Sequence, residues 1–315
     1  MKLLKPPSLL PGARIAIVAP ASSAKPERIT AGVAALRALG YNVVLSDHAR
    51  GKHAPYFSGT PEERLGDLHA AFADPTIAAI ICTRGGYGSN YLLDKLDLDL
   101  IRAHPRPLFA YSDMTTLQTW LLDQLGLVSF HGPMAAADFY LQDGVDLASF
   151  HAAISGSLVE AGPAQGLRIL RPGRARGTMY GGCLSILTAA LGTRYAPSTE
   201  GKLLFLEDVG EPPYQIDRML RQLILAGKFE GVRGFIFGEM QGCEFDSTRP
   251  DRLDDVILRV LKPFDVPIAI GLRSGHVSRG CVTLPMGLEA ELILDNDQPL
   301  LRYLEPAVIS HHAVK

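Results

Sequence analysis

Three residues of this chain could together move a proton and attack a carbonyl: Ser112, Glu207 and His276. Ser112 lies in the stretch Pro107-Leu108-Phe109-Ala110-Tyr111-Ser112-Asp113-Met114-Thr115-Thr116. An apolar run ends there in a Tyr-Ser-Asp turn. A helical pattern follows from Met114 to Leu125, with Leu117, Trp120, Leu121 and Leu125 on one face and Gly126 as its stop. A serine at a strand-to-helix turn has its hydroxyl lifted off the backbone, and the first N–H groups of the helix point at whatever it attacks. Glu207 and Asp208 end the apolar run Lys202–Leu206, and His276 follows the run Val266–Ile270 through a short loop. Each of the three therefore stands just past the C-terminal end of a buried-strand pattern, where sites collect in α/β proteins. A hydroxyl nucleophile needs a base, and the base needs an acid to fix its tautomer. Ser, Glu, His is one of the convergent chain orders of such triads.

Each residue also has a plain structural use. Ser and Asp are common helix N-caps, and the flanks Ala110 and Met114 are not the glycines of G-x-S-x-G. Glu207 can cap the helix near Tyr214, and His276 can be a satisfied loop histidine. A second chemical feature is the loop Thr83-Arg84-Gly85-Gly86-Tyr87-Gly88-Ser89-Asn90, at the end of the apolar run Thr76–Cys82. Glycines allow positive φ and let a ligand approach backbone N–H groups, so the loop reads as an anion or oxyanion cradle, or as a bare tight turn. The pattern G-x-G-x-x-G fails at Tyr91, and the loop Ala19–Ser23 after the first strand has no glycine. A dinucleotide cofactor is therefore not indicated. His131, at another strand end, reads as a structural hydrogen-bonder rather than a base.

The elements that must position these residues follow a strand–helix rhythm. Strands are expected at Arg14–Pro20, Tyr41–Leu45, Thr76–Cys82, Lys202–Leu206, Val232–Gly238 and Val266–Ile270, and Val128–Met134 reads as another strand end and loop. Helices are expected at Glu27–Leu39, Pro61–Phe72 with Thr60 as N-cap, Tyr91–Leu96, Leu184–Leu191, Tyr214–Leu225 and Pro250–Leu261. The alternation predicts an α/β protein with a parallel sheet. Residues 141–176 are punctuated by glycine and proline and read as the crossover between domains. The expected division is 1–155 for the first domain, 156–176 for the linker and 177–315 for the second domain. Ala290–Leu294 and Pro299–Tyr303, around Asn296-Asp297, read as a terminal hairpin.

The 315 residues suit one large or two medium domains. Net charge is −2, from 31 basic and 33 acidic residues, with no basic stripe, so neither nucleic acid nor an anionic membrane is an expected partner. No apolar stretch approaches the roughly 18 residues of a membrane span. Met1-Lys2-Leu3-Leu4-Lys5-Pro6-Pro7 is too quickly broken by proline for a signal peptide, and cytoplasm is the expected location. The cysteines Cys82, Cys183, Cys243 and Cys281 show no C-x-x-C and no metal spacing; they fit buried thiols. No metal and no cofactor is expected.

The ordered set of motifs resembles the LD-carboxypeptidase family, serine peptidases typified by muramoyl-tetrapeptide carboxypeptidase. It runs through Ile15–Ser22, Arg84-Gly85-Gly86-Tyr87-Gly88, Tyr111–Thr115 and His131-Gly132-Pro133 in the first half. In the second half it runs through Gly181–Ser185, Leu206–Glu211 with Tyr214–Arg218, and Gly275-His276. Cys183 and Ala110 depart from the Asn and Gly common in the family. The resemblance implies Ser112 as nucleophile, His276 as general base and Glu207 as the residue that orients it. It implies an oxyanion hole from the backbone N–H groups of Gly86 and Asp113. It also implies a glutamine-amidotransferase-like α/β domain, a smaller swivelling β/β/α domain, a site between them, and a homodimer. The implied activity is release of D-alanine from murein tetrapeptides, with Arg84 and Tyr111 as candidate contacts to a substrate carboxylate. Two other readings stand beside it. One is a related peptidase acting on microcin C-type peptide–nucleotides, which wants an aromatic stacking group; the sole tryptophan, Trp120, reads as core. The other is a non-catalytic two-domain protein that closes on a small ligand.

Overall fold

The computed structural model describes residues 2–245, 252–295 and 298–310. Two sheets carry the chain. The first holds β1 (Arg14–Val18), β2 (Asn42–Leu45), β3 (Ala79–Cys82), β4 (Leu108–Ala110) and β5 (Ser129–His131). These run parallel, and the order across the sheet is β2-β1-β3-β4-β5. Strand β1 shows why the sheet is buried on both faces. Ile15 and Ile17 pack with Ile29, Val33 and Leu36 of α1 (Pro26–Ala38). Ala16 and Val18 pack on the other side with Leu68 and Phe72 of α2 (Pro61–Ala73) and with Leu117 and Leu121 of α4 (Thr115–Leu125). The period-2 alternation of a strand thus feeds two helical layers. Helix α2 starts with a reciprocal cap: the Glu63 N–H donates to Thr60 Oγ1 at 3.2 Å, and the Thr60 N–H donates to Glu63 Oε2 at 2.8 Å. The strand order reverses direction between β1 and β3, and the loops leaving β1, β3 and β4 meet beside that switch point.

Three expectations change in this half. Tyr91–Leu96 is not a helix but two 3-10 turns; the α-helix comes later, as α3 (Leu98–Ala103), where Asp97 caps the Leu100 N–H at 2.9 Å. The stretch 141–176 is not a bare crossover. It holds α5 (Leu147–Ser155), with Asp146 accepting from the Ser149 N–H at 2.8 Å and left-handed Gly156 ending it. It also holds β6 (Glu160–Ala161) and β7 (Arg168–Arg171), which lie at the two edges of the second sheet. Trp120 is half-buried rather than core, its ring edge-on to Tyr195 at 4.8 Å between centroids.

The second sheet adds β8 (Gly173–Cys183), β9 (Lys202–Glu207), β10 (Gly234–Gly238), β11 (Ile268–Leu272), β13 (Glu289–Leu294) and β14 (Leu300–Tyr303). Its centre, β8-β9-β10-β11, is parallel, and its two flanks are antiparallel. Leu204, Leu206, Phe235 and Phe237 face a helical layer of α6 (Leu184–Ala189), α7 (Pro213–Leu225) and α8 (Leu253–Val260) through Leu187, Ile216, Leu220 and Ile257. Leu203, Phe205 and Ile236 on the opposite face share one apolar cluster with Ile15, Phe109 and Phe130 of the first sheet. A strand from the second half seals the junction: β12 (Leu284–Met286) pairs antiparallel with β5. The two sheets are thereby laced through one core. Strands β13 and β14 form the expected hairpin, while Asn296-Asp297 and the expected helix start at Pro250 lie outside the described residues. All four cysteines are buried and free. No helix among the described residues is long and apolar enough to cross a membrane.

Candidate active site

Ser112 follows β4 and opens a single 3-10 turn, Ser112–Met114, that runs directly into α4. Its φ is +65°, a left-handed value that non-glycine residues avoid at a cost of about 1–3 kcal/mol. This is the strained strand–turn–helix geometry of a nucleophile elbow. The glycines missing from its own flanks are supplied by another loop. A Cβ on Gly85 would lie 2.6 Å from Ser112 Cβ and 2.9 Å from Ser112 Oγ. Only a residue without a side chain leaves the serine its place. Gly86 follows at φ +103°, and neither its N–H nor that of Asp113 has an acceptor among the described residues. The Asp113 carboxylate ties the two loops together, accepting from the Ser89 N–H at 2.8 Å while Ser89 Oγ donates to the Asp113 carbonyl at 2.7 Å.

Glu207 ends β9 fully buried, and His276 lies four residues past β11 with a side chain 21% exposed. The same carboxylate oxygen, Oε2, takes both His276 contacts: the ring Nδ1 at 2.8 Å and the backbone N–H at 3.0 Å. The approach is close because Gly275 precedes the histidine at φ +88°; a Cβ there would sit 2.6 Å from Glu207 Cδ. With Nδ1–H given to Glu207, Nε2 is the ring nitrogen left to serve as base. Burial on its own lowers the His276 pKa. The Glu207 charge and hydrogen bond, with Asp208 and Asp138 behind, outweigh it and hold the pKa above the usual 6.5. Burial likewise raises Glu207, but His276 and His131 outweigh it and hold Glu207 well below the usual carboxylate range.

His131 is a neighbour of Glu207 that its sequence context did not reveal. It is a structural hydrogen-bonder, as expected, with Nδ1 2.9 Å from Ser274 Oγ. Its Nε2 also stands 3.8 Å from Glu207 Oε1, an ion-pair separation beyond hydrogen-bond reach. Glu207 thus sits between two imidazoles. Tyr111 packs its ring edge-on to His276, with centroids 5.1 Å apart, and its hydroxyl is committed to Asp138 Oδ1 at 3.2 Å. Burial pushes the Asp138 carboxyl up to about 7, against the Met134 N–H and Tyr111 hydroxyl that it accepts from. Tyr111 therefore walls the site and backs the imidazole. Ser112, His276, Tyr111, Arg84, Gly85 and Gly86 line one cavity of about 220 Å³. Among the described residues no cluster of three His, Cys, Asp or Glu has the arrangement of a metal site.

A strained serine beside a glycine cradle thus shares a cavity with an imidazole held by a buried carboxylate, on a two-sheet α/β fold. The chain belongs to the LD-carboxypeptidase family: that family's N-terminal domain matches residues 15–132 and its C-terminal domain matches residues 176–292. A putative carboxypeptidase of Streptomyces coelicolor is 38% identical, over 98% of this chain and 99% of its own length. A probable murein peptide carboxypeptidase of Bacillus subtilis is 36% identical over 91% of each chain. Among solved structures, an MccF-like protein of Bacillus anthracis superposes with a TM-score of 0.87 at 29% identity, over 95% of this chain and 99% of that one. The protein is a peptidase of this family, and its two-domain mixed α/β fold is the family's.

Proposed function

We propose that the protein is a serine-type LD-carboxypeptidase that releases the terminal D-alanine of murein tetrapeptides. The observation that carries the proposal is the pairing of Ser112, at φ +65°, with the Glu207–His276 couple in a single cavity. Ser112 Oγ attacks the carbonyl before the D-residue and His276 Nε2 takes its proton. The Gly86 and Asp113 N–H groups stabilise the oxyanion. His276 then protonates the leaving amine, and water, activated by the same nitrogen, hydrolyses the acyl-enzyme. Glu207 fixes the tautomer and balances the imidazolium. Family resemblance adds a cytoplasmic homodimer that recycles cell-wall peptides.

Mass spectrometry of the purified protein with L-Ala-D-Glu-meso-diaminopimelate-D-Ala should show loss of one D-alanine. An intact tetrapeptide after prolonged incubation would refute the substrate assignment. A second reading has its own support. Tyr87, Asn90, Asp113, Thr116 and Tyr195 line a separate cavity of about 160 Å³, and Tyr195 in turn packs on Trp120. These aromatic rings could hold a nucleobase, as a microcin C-type substrate requires. Cleavage of a peptidyl-nucleotide amide, with the tetrapeptide untouched, would establish that reading instead.

The Gly85 contact makes a sharper prediction. Gly85→Ala should fold normally by circular dichroism yet lose roughly 10²-fold in kcat, because its methyl displaces Ser112 Oγ from the attack position. Unchanged kcat in this variant would mean that the serine does not need the position seen here.

A further inference from the structure

The cavity that holds Ser112 and His276 has a second wall with no part in the triad. Lys25, Arg28 and Arg84 line it together with Ala24, Met134 and Ala136, and no carboxylate does. None of these three cations forms an ion pair with any described residue. Elsewhere arginines such as Arg168 and Arg259 are ion-paired, to Asp254 and Asp217. The three come from two segments, the start of α1 and the loop after β3. Lys25 is the N-cap residue of α1 and Arg28 lies in its first turn, so the positive end of the helix reaches the same wall. Arg84 opens the glycine loop, with its Nη2 3.6 Å from where a Cβ on Gly86 would be. That places its guanidinium beside the oxyanion cradle. Arg28 is fixed by stacking, its Cζ 4.6 Å from the centre of the Tyr140 ring, which leaves the edges of the guanidinium free to donate.

Three unpaired cations and a helix N-terminus around about 220 Å³ favour the entry of anions. A single carboxylate is satisfied by one arginine fork. We propose that Lys25, Arg28 and Arg84 form a reader for two substrate carboxylates next to the scissile bond. One is the free C-terminus of the residue released, and the other lies on a neighbouring side chain. Arg84, already a candidate contact from the sequence, gains two partners that the sequence did not single out. The inference deepens the proposed carboxypeptidase reading and rests on it for the position of the scissile bond.

Calorimetric titration on the Ser112→Ala background reads binding without turnover. Probes are L-Ala-D-Glu-meso-diaminopimelate-D-Ala and the same peptide with its C-terminal carboxylate amidated. Amidation should weaken binding about tenfold or more, and Lys25→Met and Arg28→Gln should each weaken binding of the free acid by a similar factor. In at least one of these two variants the amidation penalty should shrink to within about threefold, because the cation that reads that carboxylate is gone. Equal binding of acid and amide, or free-acid binding unchanged in both cation variants, would overturn the inference. Turnover by the parent protein is a separate readout. If the parent releases no D-alanine while Ser112→Ala shows the charge-dependent binding, the reader stands and the hydrolytic reading falls. If D-alanine is released but binding ignores the cations, the reverse holds.

Discussion

Ser112→Ala is expected to lower D-alanine release roughly 10³-fold or more in kcat while leaving the tetrapeptide bound. The substitution removes one oxygen, and Ser112 Oγ has no hydrogen-bond partner among the described residues, so no structural bond is lost with it. Alanine at φ +65° carries much the same backbone strain as serine, so stability should move by less than about 1 kcal/mol. The glycine cradle, the imidazole and the cationic wall all remain. What disappears is the covalent route, and the residual rate is whatever the oxyanion donors and His276 extract from water directly. Comparing D-alanine release by parent and variant under single-turnover conditions makes the measurement. A variant within tenfold of the parent would remove Ser112 from the mechanism and with it the acyl-enzyme.

The placement of this serine was legible in the sequence, but what makes room for it was not. The run Leu108–Ala110, the Tyr-Ser-Asp turn and the helical spacing after it gave the strand, turn and helix in their true order. Missing glycines at Ala110 and Met114 argued for a plain cap. The space they would have provided comes instead from Gly85, 27 residues earlier, and no local pattern announces that. Glu207 and His276 were placed by the same rule, each beyond a buried run, because a parallel strand fully buried on both faces reads as an unbroken apolar stretch. Long-range pairing was beyond reach. Leu284–Met286 is three residues with a proline in the middle, and only its partner β5 makes it a strand of the first sheet. Helix α5 is a different case: Asp146 and Gly156 are ordinary start and stop signals, obscured by the glycines and prolines that follow. His131 shows the limit most clearly. Its neighbours in sequence mark a strand end, and its 3.8 Å approach to Glu207 depends on how two sheets meet.

The second large effect is expected from Glu207→Gln. The amide is nearly isosteric and keeps an acceptor for His276 Nδ1, but it also brings an NH₂ that can face the ring. The wrong tautomer, with the proton on Nε2, then becomes competitive, and the imidazolium formed during attack loses its counter-charge. A fall in kcat of about 10³- to 10⁴-fold is expected. The pH profile separates this from mere disorder. His276 acts as base only when neutral, so kcat/KM in the parent falls as pH drops through its raised pKa. Without the Glu207 charge, burial is opposed mainly by Asp208 and Asp138, and the His276 pKa drops. The acid limb of the variant should therefore move to lower pH. Stability follows by linkage. The raised His276 pKa contributes stability that is complete below the unfolded value of 6.5 and is lost as pH rises through the folded one. The lowered Glu207 pKa contributes stability that is complete above the unfolded value of 4.5 and is lost as pH falls through the folded one. Both contributions are present together between these two unfolded values, so the pH-dependent gap between parent and Glu207→Gln should be widest there and narrow on either side. Urea titrations at a series of pH values test this. A constant gap across the range, or an acid limb that stays in place, would mean that the Glu207–His276 pair does not set the charge state of the base.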